Sequence, residues 1–251
     1  MVDRPATSST LVTVAAGQVF LTSLIPTAVG NATKVFDVDS ALTDTSISGA
    51  YIDDIWLQYT KRTTQYIDAV TATAGTYSAN STSVVVTISA GHNVQVGQKV
   101  FLDFTSYSSG TTPIDQAVTI TAVTPTTFTG TIPSVSGPIT GNVNCYLPID
   151  FCFYLVNTGT ITNINQFFPL FVASISATTE NQNYSLTLAA VLPLISHPVV
   201  QGGADTSFTT SLVAPKTRGL MLQRGQALYV AASGSTSLTN GFYVGVQAGY
   251  Y

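Results

Sequence analysis

The side chains able to carry chemistry are few: twelve Asp and Glu, two His and two Cys in 251 residues. Asp37, Asp39 and Asp44 form a loose cluster, D-x-D-x-x-x-x-D. A calcium loop of the EF-hand kind needs glycine at its sixth position and glutamate at its twelfth. Counted from Asp37 those positions hold Leu42 and Ser48, so the cluster reads as a solvated turn. Asp53 and Asp54 are adjacent; on a strand they point to opposite faces and cannot act as an acid and base pair. His92 sits in Ala90-Gly91-His92-Asn93, a turn, and His197 precedes Pro198 in a loop. Nucleophilic catalysis would need a histidine beside a serine or cysteine, oriented by a third group. No G-x-S-x-G, P-loop or dinucleotide fingerprint occurs. Gly202-Gly203 lies in a polar loop with Asp205 and reads as a flexible connection. Cys145 and Cys152 lie seven apart, on opposite faces of any continuous strand. They could pair only if a turn at Pro148 folded the segment back, and two free, buried thiols are expected. No catalytic residue, cofactor or metal site is expected, and the chain reads as a non-enzyme.

The elements that would hold any site are strands. Charged residues make up 8% of the chain, against about 25% in a typical domain. Hydrophobic residues are 45%, so the missing charge is replaced by Ser, Thr, Asn and Gln. Glu180 is the single glutamate and lysine is scarce, which removes strong helix formers and leaves residues that suit a pleated surface. Net charge is −4. Lys216, Arg218 and Arg224 are too few for a nucleic-acid footprint. Asp3 and Arg4 cancel, so the start of the sequence lacks the charge of a secretory leader. Leu11 to Ile25 is interrupted by polar residues and reads as two short strands. No uninterrupted apolar run is long enough to span a membrane.

Period-two alternation recurs throughout. Val100, Leu102 and Phe104 share one face; Val118 and Ile120 alternate with Thr119 and Thr121; Phe242, Val244, Val246 and Ala248 alternate with Tyr243, Gly245 and Gln247. Turn signals separate such runs, among them Val96-Gly97-Gln98, Arg224-Gly225-Gln226 and Asn240-Gly241. One helical turn is possible around 161–167. Composition shifts near residues 70 and 145. Between them the chain is rich in Thr, Ser, Val and Gly, with Lys99, Asp103 and Asp115 as the charged residues. The expected fold is all-β: a discontinuous, jelly-roll-like β-sandwich from 1–70 plus 146–251, with a small β-sandwich or barrel module, 71–145, inserted at a hairpin between strands 50–60 and 149–157. The module's core is expected at Val100, Leu102, Phe104, Val118 and Ile120, and the outer domain is expected to fold without it.

Segments 151–156 and 167–172 are apolar on both faces. Such strands are buried twice, here by the second sheet and by a neighbouring chain or domain. Phe151, Phe153, Phe167 and Phe171 are therefore candidate interface residues. Trp56 is another: Ile55, Leu57 and Tyr59 share a face, which leaves the indole on the polar side with Asp54 and Gln58. It is either an interface anchor or covered by a loop or by the module. Sequons at Asn31, Asn80 and Asn183 are expected by chance in so Ser- and Thr-rich a chain.

Two stretches carry a resemblance. The first runs through Phe153-Tyr154-Leu155-Val156-Asn157, Phe168-Pro169-Leu170-Phe171, Arg218-Gly219-Leu220-Met221-Leu222 and Arg224-Gly225-Gln226-Ala227-Leu228-Tyr229-Val230 to Gly241-Phe242-Tyr243-Val244 and Gly249-Tyr250-Tyr251. It resembles small all-β virion proteins of tailed bacteriophages, of the capsid decoration or cement type. Glutamine and arginine stand here where that group carries a leucine-proline phrase. The second spans Thr82–Ser89, Gly91-His92, Val96–Ser106 and Val118–Val123, and resembles a β-module also found in phage fibres. The resemblance implies a structural subunit on the capsid exterior, partnered by the major capsid protein and by itself, most simply as a trimer. The alternatives are a tail-fibre, tail-tip or host-adhesion component, or a carbohydrate-binding module.

Overall fold

The β-branched and aromatic residues between the turn signals do form strands. The computed structural model describes residues 4–12, 19–20, 24–38, 47–59, 70–108, 113–157, 160–175, 184–186, 220–233 and 242–251. In chain order the strands are β1 (Arg4–Val12), β2 (Val19–Phe20), β3 (Ile25–Pro26), β4 (Thr33–Asp37), β5 (Gly49–Tyr59), β6 (Thr73–Thr87), β7 (Lys99–Phe104), β8 (Gln116–Val123), β9 (Thr127–Tyr146), β10 (Ile149–Asn157), β11 (Phe168–Ile175), β12 (Tyr184–Leu186), β13 (Leu220–Gln223), β14 (Gln226–Ala232) and β15 (Phe242–Tyr250). Single 3-10 turns at Val29–Asn31 and Ile164–Gln166 are the helical elements among the described residues. The second falls inside the expected 161–167 turn and is closed by Asn163, whose side chain accepts the Asn165 N–H.

The fold is an all-β sandwich. One sheet runs β1-β15-β5-β12, with β13 also paired to β5; the facing sheet runs β11-β10-β14-β4. The described pairings are antiparallel. Ile52 and Ile55 of β5 and Phe242, Val244 and Val246 of β15 meet Phe151 and Phe153 of β10 and Leu228 and Val230 of β14 in the largest core cluster. Phe151 and Phe242 close the gap between sheets edge to face, 5.1 Å apart. A bulge shapes β5: consecutive residues Gln247 and Ala248 pair with Asp54 and Ile52, leaving Asp53 as the extra residue. Ile52 and Ile55, three apart, can therefore both face the core.

Two expectations are corrected. β5 and β10 do not form a hairpin; they lie in different sheets, and each finds its partners elsewhere in the chain. The second face of β10 is covered by the chain itself. Cys152, Tyr154 and Val156 join Phe167 and Ala231 in a separate cluster, packed over by Leu24, Val29, Ala32 and Ile161.

Residues 73–146 form a third sheet, β6-β9-β7-β8, in which β9 also pairs with β8. β6 and β9 run together from Thr73 opposite Cys145 to Thr87 opposite Thr127, with irregular register around Ser81. β9 bends there, helped by Gly137 at φ +82. Its start can then pair with β8 and its end with β7, which curls the sheet toward a small barrel. Val100, Leu102, Phe104, Val118 and Ile120 all lie in this sheet's own core. The separation of cores is incomplete, however. Phe101 belongs to the sandwich core, and Ala117 and Tyr146 pack against it.

Candidate interaction surfaces

The four phenylalanines expected at an interface are interior rings. Phe151, Phe153 and Phe171 sit between the sandwich sheets, and Phe153 stacks on Phe171 at 4.5 Å. Phe167 lies on the other side of β10, edge-on to Tyr154 at 5.7 Å and to Tyr229 at 5.5 Å. None of the four presents appreciable surface; the most accessible, Phe171, is 8% exposed. The run of apolar residues on both strand faces comes from two intramolecular cores, not from one core and a partner.

Trp56 is placed as the alternation implies, on the outer side of its sheet and half-buried. It pairs across to Gly245. A Cβ at Gly245 would lie 2.0–2.5 Å from Cε2, Cζ2 and Nε1 of the indole, so the ring occupies the space that the glycine leaves open. On the same side, Met221 pairs with Tyr51 and is 58% exposed. On the facing sheet, Phe168 opens β11 with 63% exposure. Phe168 and Met221 escaped the sequence reading, although alternation could have found them. Phe167 and Phe168 are adjacent and must face opposite ways, and Met221 sits between inward-facing Leu220 and Leu222.

Among the described residues, the groups able to carry chemistry serve structure or stand apart. Asp37 is not a solvated turn residue: it ends β4, largely buried, and accepts a 2.8 Å bond from Lys34 Nζ. That bond raises the Lys34 pKa. Asp39, Asp44, His197, Gly202, Gly203 and Asp205 lie outside the described residues, as does Asn183. Asn31 donates to Thr27 Oγ1 at 2.6 Å. Among the described residues no group of three His, Cys, Asp or Glu could hold a metal ion. Both cysteines are free and buried, and burial pushes the Cys145 thiol up to about 12.

A cleft of about 200 Å³ lies where the chain passes between sandwich and third sheet, lined among others by His92, Asp150 and Ser233. These three residue types together suggest a hydrolytic triad, but no hydrogen bond connects them in that order. Ser233 Oγ accepts the Asp150 N–H at 3.0 Å, and Ser174 Oγ donates to the Asp150 carboxylate. His92 Nδ1 accepts the Val94 N–H, and its Nε2 is buried with no partner among the described residues. The imidazole instead packs edge-on to Phe128, centroids 5.2 Å apart. A second cleft, about 220 Å³, is lined by Ile114, Ile132, Pro133 and Val135 where β9 bends.

No protein-family model matches the chain. No curated protein matches it either. Among solved structures it is similar to VP17, a capsid protein of bacteriophage P23-77, at 11% identity over 88% of this chain and 93% of that chain, with a TM-score of 0.18. A likeness at that score carries no argument about fold or role.

Proposed function

We propose that the protein is a non-enzymatic virion structural subunit, of the capsid decoration type, that binds the outside of an assembled phage head. The observation that carries this reading is the pairing of 8% charged residues with large apolar side chains left outside on both sandwich sheets, Met221 and Phe168. A freely soluble monomer usually keeps a charged, mixed surface, whereas a subunit held permanently in a lattice covers such side chains. In this reading residues 1–70 and 146–251 form the assembly domain, and 71–145 are the outward module. The partners are the major capsid protein and further copies of the chain, as a closed ring matching a three-fold position. The resemblance of the Phe153–Tyr251 stretch to decoration proteins supports the same role.

The test is quantitative. Purified particles should hold the protein at a copy number comparable with the shell subunits, and Phe168→Glu with Met221→Glu should abolish co-sedimentation with stripped shells. A copy number of a few per particle would point instead to the tail. Trp56 lodged over Gly245 favours one second reading, an aromatic surface for a glycan. Glycan binding lost in Trp56→Ala, with shell binding unaffected, would select it.

A further inference from the structure

Phe101 is the middle of a cross-strand row. It pairs with Tyr146 of β9 on one side and Ala117 of β8 on the other. All three pack on the sandwich core, while their strand neighbours Val100, Leu102, Cys145 and Val118 face the module core. The same stitching runs along the chain where it crosses. Cys145 faces the module, Tyr146 the sandwich, Leu147 the module and Ile149 the sandwich. Both connections are short: Thr71 and Ala72 separate Val70 from β6, and Leu147 and Pro148 separate β9 from β10. Proline at the second crossing fixes its backbone φ. Inserted domains ordinarily move against their hosts unless the contact is apolar and well packed. Here one edge of the module sheet, at Ala117, Phe101 and Tyr146, packs on the sandwich core.

We infer that the Tyr146–Phe101–Ala117 row makes module and sandwich one cooperative body, so that the sandwich core is incomplete without the module. This inference does not depend on the proposed virion role. Phe101 is a positioning residue: its ring transmits the state of one core to the other.

Trp56, the chain's one tryptophan, reports on the sandwich through its emission, and hydrogen exchange of amides in 77–145 reports on the module. Ile120→Ala damages only the module core directly. In the full chain it should lower both melting midpoints together, by on the order of 10 °C. In a Phe101→Ser background the same change should lower the module's midpoint and leave that of Trp56 in place. Melts at two protein concentrations separate this effect from subunit dissociation, which alone depends on concentration. A module midpoint that falls in Ile120→Ala while Trp56 emission holds would overturn the inference. If Phe101→Ser does not fold, the comparison in the otherwise unchanged chain decides by itself.

Discussion

The third sheet and β10 bury apolar surface in different ways. In β8, Val118 and Ile120 are buried while Thr119 and Thr121 are exposed, so that past Ala117, which meets the sandwich, the strand has one core and one wet face. In β10, Phe151, Cys152, Phe153 and Tyr154 are buried in succession, because the sandwich core lies on one side and the cluster under Leu24, Val29 and Ala32 on the other. The alternating strand offers half its positions to change; the doubly buried strand offers almost none.

The sharpest way to break this comparison is one charge on each kind of strand. Val156→Lys places an ammonium in the cluster behind β10, which among the described residues holds no carboxylate to pair with it. It should cost about 3–5 kcal/mol, the scale of an uncompensated buried charge, or prevent folding. Thr119→Lys, on the exposed side of β8, should stay within about 0.5 kcal/mol. Chemical denaturation of both variants checks this, and equal losses would mean that the outer side of β8 is covered in the assembly.

Two glycines sharpen it further. A Cβ at Gly141 would lie 1.9 Å from the Ser106 carbonyl oxygen, whereas the three atoms nearest to one at Gly245 all belong to the Trp56 side chain. Backbone cannot yield as a side chain can. Gly141→Ala should cost about 1–3 kcal/mol by overpacking. Gly245→Ala should cost less, because the indole swings outward, and should shift Trp56 emission to the red. An unshifted spectrum would show that the indole is held by something other than this gap.

How much of this was legible follows from which contacts are local. Val100, Leu102 and Phe104 announce their core by alternation alone, and the outward placement of Trp56 follows from Ile55 beside it. The bulge at Asp53 has no such signal, since it is set by pairing with β15 almost two hundred residues away. Nor does the cover over Tyr154, supplied by residues near position 30. Apolar residues on both strand faces imply two-sided burial but do not say what buries them, which is why Phe151, Phe153, Phe167 and Phe171 read as an interface. Phe101 shows the same limit. Alternation sends it away from the module core, and only the three-dimensional arrangement puts a second core there.

The cysteines give a smaller contrast, read by pH. Burial raises both thiols, Cys145 from 9.0 to about 12. A raised folded pKa means that the unfolded chain loses the proton first. The stability tied to Cys145 is therefore complete below about pH 9 and drains away between about 9 and 12. Cys145→Ala should flatten the alkaline fall in melting temperature across that window. At neutral pH neither thiol should react with a maleimide until the protein unfolds; rapid labelling of the native chain would show an opening that the packing does not have.

The smallest expected effect comes from a single oxygen atom in each region. Tyr77, in the module, donates its hydroxyl to the Ser106 carbonyl at 3.0 Å. Tyr154, in β10, is fully buried, and among the described residues its hydroxyl makes no well-formed hydrogen bond to an oxygen or nitrogen; the Cys152 thiol, a weak partner, is the polar group beside it. Tyr77→Phe removes a made bond and leaves the Ser106 carbonyl to be re-solvated, a loss of about 0.5–1.5 kcal/mol. Tyr154→Phe removes an oxygen whose burial is offset only by the weak Cys152 thiol, so the variant should be neutral or more stable by up to about 1 kcal/mol. Urea midpoints at constant m-value measure both changes. If Tyr154→Phe instead destabilises as much as Tyr77→Phe, the hydroxyl has a stronger partner than the thiol, and a buried water bridging it to the strand backbone is what a high-resolution structure should then reveal.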